Sequence, residues 1–479
     1  MVFSSTVFLF MFLPVVLTGY VLIPTIRLRN LFLLAASLFF YAWGEGLYLL
    51  IMLFSIGANY LVGLLVAGST QQRSRLLCLS AGIAINLALL GVFKYANFLV
   101  DGLNAILAPI NIAPVVLAPV HLPIGISFFT FQAISYIVDV YRGHAEPRSN
   151  PLECGLYIAL FPQLIAGPIV RYEHIARQIT SRRHTVERLA DGIVLFICGL
   201  GKKMLLANPM GEVADQIFAV PVGELPALVA WSGALAYGLQ IYFDFSGYSD
   251  MAIGLGKMFG FELRINFNYP YISSSFREFW RRWHISLSTW FRDYLYIPLG
   301  GNRRGRWRTG LNLLLVFFLC GLWHGASWTF IIWGLLHGVF LVLERGRFGR
   351  LLETVWRPLR HAYFLVFLLI TWVFFRAETL AMAIAYLSAM FSFGSLFSIA
   401  HPVGLYWSPA HLLVAVIGIV ASTPLVSLGF RRLVLVAENN PAWQGIVYLC
   451  RMCGSAALFI LCAMALAAGA YNPFIYFRF

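Results

Sequence analysis

The chain is predicted to be an all-α polytopic membrane protein, and three observations carry that prediction. Of its 479 residues, 60% are hydrophobic and only 11% are charged. The mean hydropathy of +0.79 lies far from that of a water-soluble domain of this length. Apolar runs of roughly 20 residues, the length a helix needs to cross the hydrocarbon of a bilayer, recur along the whole chain. No internal repeat, low-complexity tract or linker divides the sequence, so one transmembrane domain over residues 1–479 is expected.

Taken in order, the expected spans are 3–24, 30–47, 48–67, 76–96, 121–141, 190–208, 227–255, 362–376, 411–430 and 446–470. The first run lacks a basic leader and a small-residue cleavage site, so it reads as a retained span. Residues 157–170 form a shorter apolar piece interrupted by Pro162, Gly167 and Pro168, which suits a broken or re-entrant segment shielded by other helices. Its basic sequel, 171–188, would lie in the cytoplasm, with Met1 and Phe479 on the opposite side.

Residues 311–343 need separate treatment. This run of 33 residues would be roughly 50 Å long as one helix, against a hydrocarbon core of about 30 Å. Both flanks, 303–308 and 345–350, are basic, so both ends belong in the cytoplasm and the segment must enter and return. Gly321, Gly325, Ala326 and Ser327 offer the place to turn, with His324 at the apex.

The net charge of +14 sits in a few arginine clusters beside apolar spans, which points to anionic lipid and the cytoplasmic face and not to nucleic acid. Seven scattered cysteines include one close pair, Cys450 and Cys453, with no further ligands to complete a metal site. No metal is expected. Gly199-Leu-Gly-Lys-Lys203 and Gly254-Leu-Gly-Lys257 lack the spacing of a phosphate-binding loop.

Three stretches, between about 230 and 345, carry the candidate chemistry. Ser275 with Glu278 reads as a capping box opening one amphipathic helix. Its aromatic face lies beside a stripe of Arg277, Arg281, His284, Ser288 and Arg292. That stripe either anchors the chain on lipid headgroups or holds an anionic group next to the His284 imidazole. In Trp323-His324-Gly325, a neutral imidazole in an apolar site can accept a proton from an attacking hydroxyl; the competing reading is a buried histidine bridging two helices. His337 reads as such a core histidine. Asp244 and Asp250 lie in an otherwise uncharged span, where Ser246, Tyr248 and Ser249 are at hand to satisfy them. They either lock helix packing or orient the imidazole and line a polar channel.

Arg281-Arg-Trp-His284, Trp323-His-Gly325, Phe243-Asp-Phe-Ser-Gly-Tyr-Ser-Asp250 and the ending Tyr471-Asn-Pro-Phe-Ile-Tyr-Phe-Arg-Phe479 together resemble the membrane-bound O-acyltransferase (MBOAT) family, and within it the bacterial alginate O-acetyltransferase branch. The likeness also takes in Leu122-Pro-Ile-Gly-Ile-Ser127 and Ala166-Gly-Pro168, and so covers nearly the whole chain. The resemblance implies a ring of about ten to twelve transmembrane or re-entrant helices around a central funnel and tunnel. It implies a multi-pass protein of the bacterial inner membrane, with His324 the catalytic histidine and His284 the second invariant one. Arg277, Arg281, Ser288, Trp323, Asp244 and Asp250 would line the donor site or tunnel. Acetyl-CoA would serve as co-substrate without a bound cofactor, and a periplasmic SGNH-type acetyltransferase and the export machinery for alginate or another polysaccharide would be partners. The alternative is a proton-coupled transporter or flippase using Asp244, Asp250 and His324 as a relay; the lack of an internal repeat favours the enzyme.

Overall fold

The computed structural model describes residues 1–392, 394, 396–437, 441–469, 471, 472 and 475. Phe479, and with it most of the ending motif, lies outside the described residues. Among those described the chain is helical throughout, with no β-strand. Five helical stretches are long and apolar enough to cross a membrane by themselves: Ile26–Gly68, Gln72–Ile110, Trp328–Arg345, Arg357–Arg376 and Ala442–Ala467. The chain is a multi-pass membrane protein. Its contacts gather into two compact units, Met1–Ile193 with Ala252–Arg264 and Val194–Met251 with Ile265–Phe479.

In the first unit, Ile26–Glu45, Leu49–Gly68 and Gln72–Leu90 follow the expected spans closely. At the expected span 121–141 the helix is shorter. Its helix, Ile126–Arg142, has 17 residues and is buried from residue 126 to 140, including Thr130, Gln132, Ser135 and Asp139. Its apolar residues pack against protein. Residues 157–170 do form a broken piece: Pro151–Ala159 ends before Phe161–Leu164, and the whole is buried. Gly167 has no room for a side chain, since a Cβ would lie 2.6 Å from the Pro162 carbonyl oxygen.

In the second unit, residues 311–343 fold as anticipated into a hairpin of Gly305–His324 and Trp328–Arg345, turning at Gly325-Ala-Ser327. Its arms touch backbone to backbone at Gly321 and Gly334, where any side chain would strike the carbonyl oxygens of Phe330 and Phe317. The expected single span at 411–430 is two helices, Pro409–Ala421 and Leu425–Ala437, bent by 60°. Pro424 stands in that break, where it has no N–H to continue the ladder and its ring crowds the preceding turn.

Candidate active site

All the candidate residues lie in the second unit. His324 closes the first arm of the hairpin and is 5% exposed. Its ring is walled by Trp323, Trp333 and Phe375, with centroids 4.9, 4.9 and 5.2 Å away. It lines a cavity of about 10 Å³ together with Asp244, Phe245, Trp283, Trp372 and Ile475, room for about one water molecule. The wall is aromatic, so the polar passage expected beside His324 reduces to two groups, the imidazole and the Asp244 carboxylate.

The continuous amphipathic helix from Ser275 is not formed. Ser275 caps as expected, accepting the Glu278 N–H at 3.1 Å, but the helix runs only from Phe276 to Phe279. A turn follows, and a second helix spans Ile285–Phe291. Glu344, from the hairpin's second arm, supplies the remaining cap by accepting the N–H groups of Phe276 and Arg277 at 2.8 and 2.9 Å. Glu278 turns elsewhere, to the Ser274 N–H and Arg282. Partial burial opposes its charge, but these two partners outweigh that cost and hold its pKa below the usual value.

The break falls at His284, whose φ of 42° and ψ of 54° lie in the left-handed region, a costly place for a residue with a side chain. Asn266 pins this turn. Its carbonyl accepts the Ile285 N–H at 2.9 Å, its side-chain oxygen accepts from the Ser286 N–H and hydroxyl, and its amide donates to Ser249. The His284 ring is fully buried, edge-on to Phe245 at 4.5 Å and to Trp323 at 5.9 Å. Trp323 thus contacts both histidine rings, and Phe245 packs on His284 and lines the His324 cavity. Neither His284 nor Trp323 lines the small cavity.

The kink leaves His284 out of the chamber that its expected neighbours line, although the Ser288 hydroxyl still donates to the His284 carbonyl at 3.1 Å. Arg277, Arg281, Ser288 and Arg292 line this chamber, of about 540 Å³, whose inner wall includes Phe317 and Cys320. Cys320 is one helical turn before His324 on the same arm. A third chamber, of about 420 Å³, is lined by Gln240, Ser327, Thr329, Arg376 and Glu378, and shares Phe375 and Ile475 with the His324 cavity. His337 is the core histidine expected, accepting from the Trp280 indole at 3.2 Å.

The two aspartates are not satisfied by the hydroxyls between them. Asp244 pairs with Lys203 and Asp250 with Lys202, each at 2.6 Å. These lysines stand in the sequence inside the apolar run 190–208, in the motif set aside as a failed phosphate loop. Two consecutive cations in a span ask for two anions, and that signal was there to be used.

A family model described as MBOAT, the membrane-bound O-acyltransferase family, matches residues 141–388. This chain belongs to that family. The probable alginate O-acetylase of Azotobacter vinelandii is 44% identical over all of both chains. That of Pseudomonas aeruginosa is 49% identical over 82% of this chain and 76% of its own. The peptidoglycan O-acetyltransferase of Helicobacter pylori is 38% identical over 81% and 80%. The MBOAT protein described here is accordingly an O-acyltransferase.

Elsewhere, in the first unit, Asp139, His144 and Glu173 bring ligand atoms within 4.8 Å of one another. Glu173 already faces Arg171 at 3.4 Å and His174 at 3.4 Å.

Proposed function

We propose that this protein passes an acetyl group from cytoplasmic acetyl-CoA through the bacterial inner membrane for O-acetylation of an exported polysaccharide, alginate, with His324 as the general base. One observation carries the reading: His324 and Asp244 line a small cavity that shares Phe375 and Ile475 with a hydroxyl-lined chamber, while an arginine-lined chamber reaches Cys320, one helical turn before His324. The names of the relatives support acetyl as the group and a polysaccharide as its destination, alginate for two of them.

On this reading Arg277, Arg281 and Arg292 hold the donor's phosphates, for which the guanidinium fork is suited, and Ser288 adds a hydroxyl on the same wall. The thioester carbonyl reaches His324 past Cys320. His324 takes the acceptor hydroxyl's proton as the carbon–oxygen bond forms. The carbon–sulfur bond then breaks, and the proton passes to the departing thiolate, leaving an acetyl ester and free thiol. Because the cavity holds about one water, the aromatic wall must part for the acetyl group to pass. His284 shapes the site from behind Phe245 and Trp323, and Asp250 belongs to the packing of the helices. The ring of ten to twelve helices with its funnel, the inner-membrane location and a periplasmic SGNH-type acetyltransferase that completes the transfer are parts of the same proposal.

The test is transfer of label from radiolabelled acetyl-CoA in membrane vesicles from cells making alginate. His324→Ala should abolish it while the protein stays in the membrane. Label that moves only when a proton gradient is applied, and stops with uncouplers, would sink the enzyme and leave the transporter.

A further inference from the structure

We infer that Lys203 is a positioning residue for acyl transfer: it fixes the Asp244 carboxylate against the cavity that His324 lines, giving the imidazolium formed during the reaction a set counter-charge. The inference rests on the proposed role of His324 and adds a residue to it.

The backbone is built to deliver this lysine. The helix that begins at Val186 widens into a π turn at Lys202–Ala207, the kind of irregularity that recurs at functional sites. Just before it, Gly199 crosses Gly247 of the helix Ala227–Met258. A Cβ at Gly199 would lie 2.5 Å from the Gly247 carbonyl oxygen, and one at Gly247 would lie 2.7 Å from that of Gly199. With the backbones this close, the lysines that follow reach carboxylates on the partner helix.

The two pairs so formed are not alike. Lys203 and Asp244 have side chains 4% and 2% exposed, whereas Lys202 and Asp250 are 31% and 24% exposed. Asp244 also accepts the backbone N–H of Ile475 at 3.1 Å, on the oxygen that does not face Lys203. Held from two sides, the carboxylate cannot swing away. Asp244 and Ile475 both line the His324 cavity.

The charge arithmetic follows. Before reaction, Lys203 and Asp244 cancel and the imidazole is neutral. When His324 takes the hydroxyl proton, an imidazolium forms amid aromatic rings, and the matching negative charge passes to the carbonyl oxygen of the thioester under attack. An ion pair whose negative end faces the cavity stabilises the imidazolium without reorganising, because it is already oriented. When the proton leaves with the thiolate, the site returns to its first state.

The experiment compares Lys203→Met, Asp244→Asn and the double variant, assayed for label transfer at saturating and limiting acetyl-CoA, with thermal stability measured in parallel. Each single variant strands a buried charge. The double removes both, and is expected to keep wild-type stability and a KM for acetyl-CoA within about twofold while kcat falls about 100-fold, the scale of a proton-transfer contribution. A double variant with wild-type kcat would reduce the pair to packing and overturn the inference. Lys203→Arg, which keeps the charge, supplies the second arm: it should keep at least about a tenth of kcat, and a folded but inactive Lys203→Arg protein also overturns the inference. His324→Ala, run alongside, separates the layers. If it is active, the functional reading fails; if it is inactive while the double is fully active, only the role of Lys203 fails.

Discussion

Around His324 and around Lys203 the same unit buries polar groups by opposite means. The histidine is enclosed by the rings of Trp323, Trp333 and Phe375. The lysine is charged and reaches its counter-ion across a helix crossing of two glycines. An imidazole can enter an apolar wall because it sheds its charge. A lysine beside an aspartate instead needs contact at 2.6 Å, since a lone ion at that depth is far too costly. One polar group is insulated, and the other is matched by an opposite charge.

That contrast can be broken at several points. The largest effect is expected at the insulated group: His324→Ala should lower acetyl transfer by about 10³-fold or more, measured as labelled acetyl per mole of protein, with little change in thermal stability. Activity near wild type would show that the enclosed ring does no chemistry. At the matched charges the pattern should reverse. Lys203→Met should destabilise by about 3–5 kcal/mol, read as reduced accumulation and an earlier melting transition. Lys202→Met, at the more exposed pair, should cost well under half as much; equal losses would mean burial does not set the penalty.

A milder effect belongs to the chamber wall. Arg281→Ala should raise the KM for acetyl-CoA about tenfold, the loss of one charge-assisted contact, with kcat near its original value. A fall in kcat alone would place Arg281 in the chemistry. The smallest change is expected at Ser275→Ala, which removes a helix cap worth about 1 kcal/mol. Because Glu344 holds the N–H groups of Phe276 and Arg277 independently, acetyl transfer should stay within about twofold. Loss of transfer would mean the cap also sets the His284 turn.

Much of this was legible in residues 311–343. Length, basic flanks and small residues near His324 were enough to foresee a hairpin, and the structure turns one residue past the histidine. The Ser275 segment was legible only at its start. Its periodicity argued for one helix, yet Asn266, a residue outside the pattern, draws Ile285 and Ser286 into a turn and leaves His284 out of the chamber that Arg281 and Ser288 line. Helical spacing assumes unbroken backbone hydrogen bonding, and a side chain from elsewhere can compete for those N–H groups. The helix Ile126–Arg142 shows a related limit: composition reports that a segment avoids water, without saying whether lipid or protein surrounds it.

Composition and local order along the chain thus determined the membrane class and the helical content, because hydrophobicity and the hydrogen-bonding needs of the backbone in lipid act within each segment. The pairing of lysines with aspartates, the kink at His284 and the cavity shared by His324 and Asp244 were decided by the tertiary fold. Lys202 and Asp250 are 48 residues apart in the chain and meet only where two helices cross. Contacts of that kind depend on crossing geometry and on which glycines let backbones touch, and no period in the sequence records them.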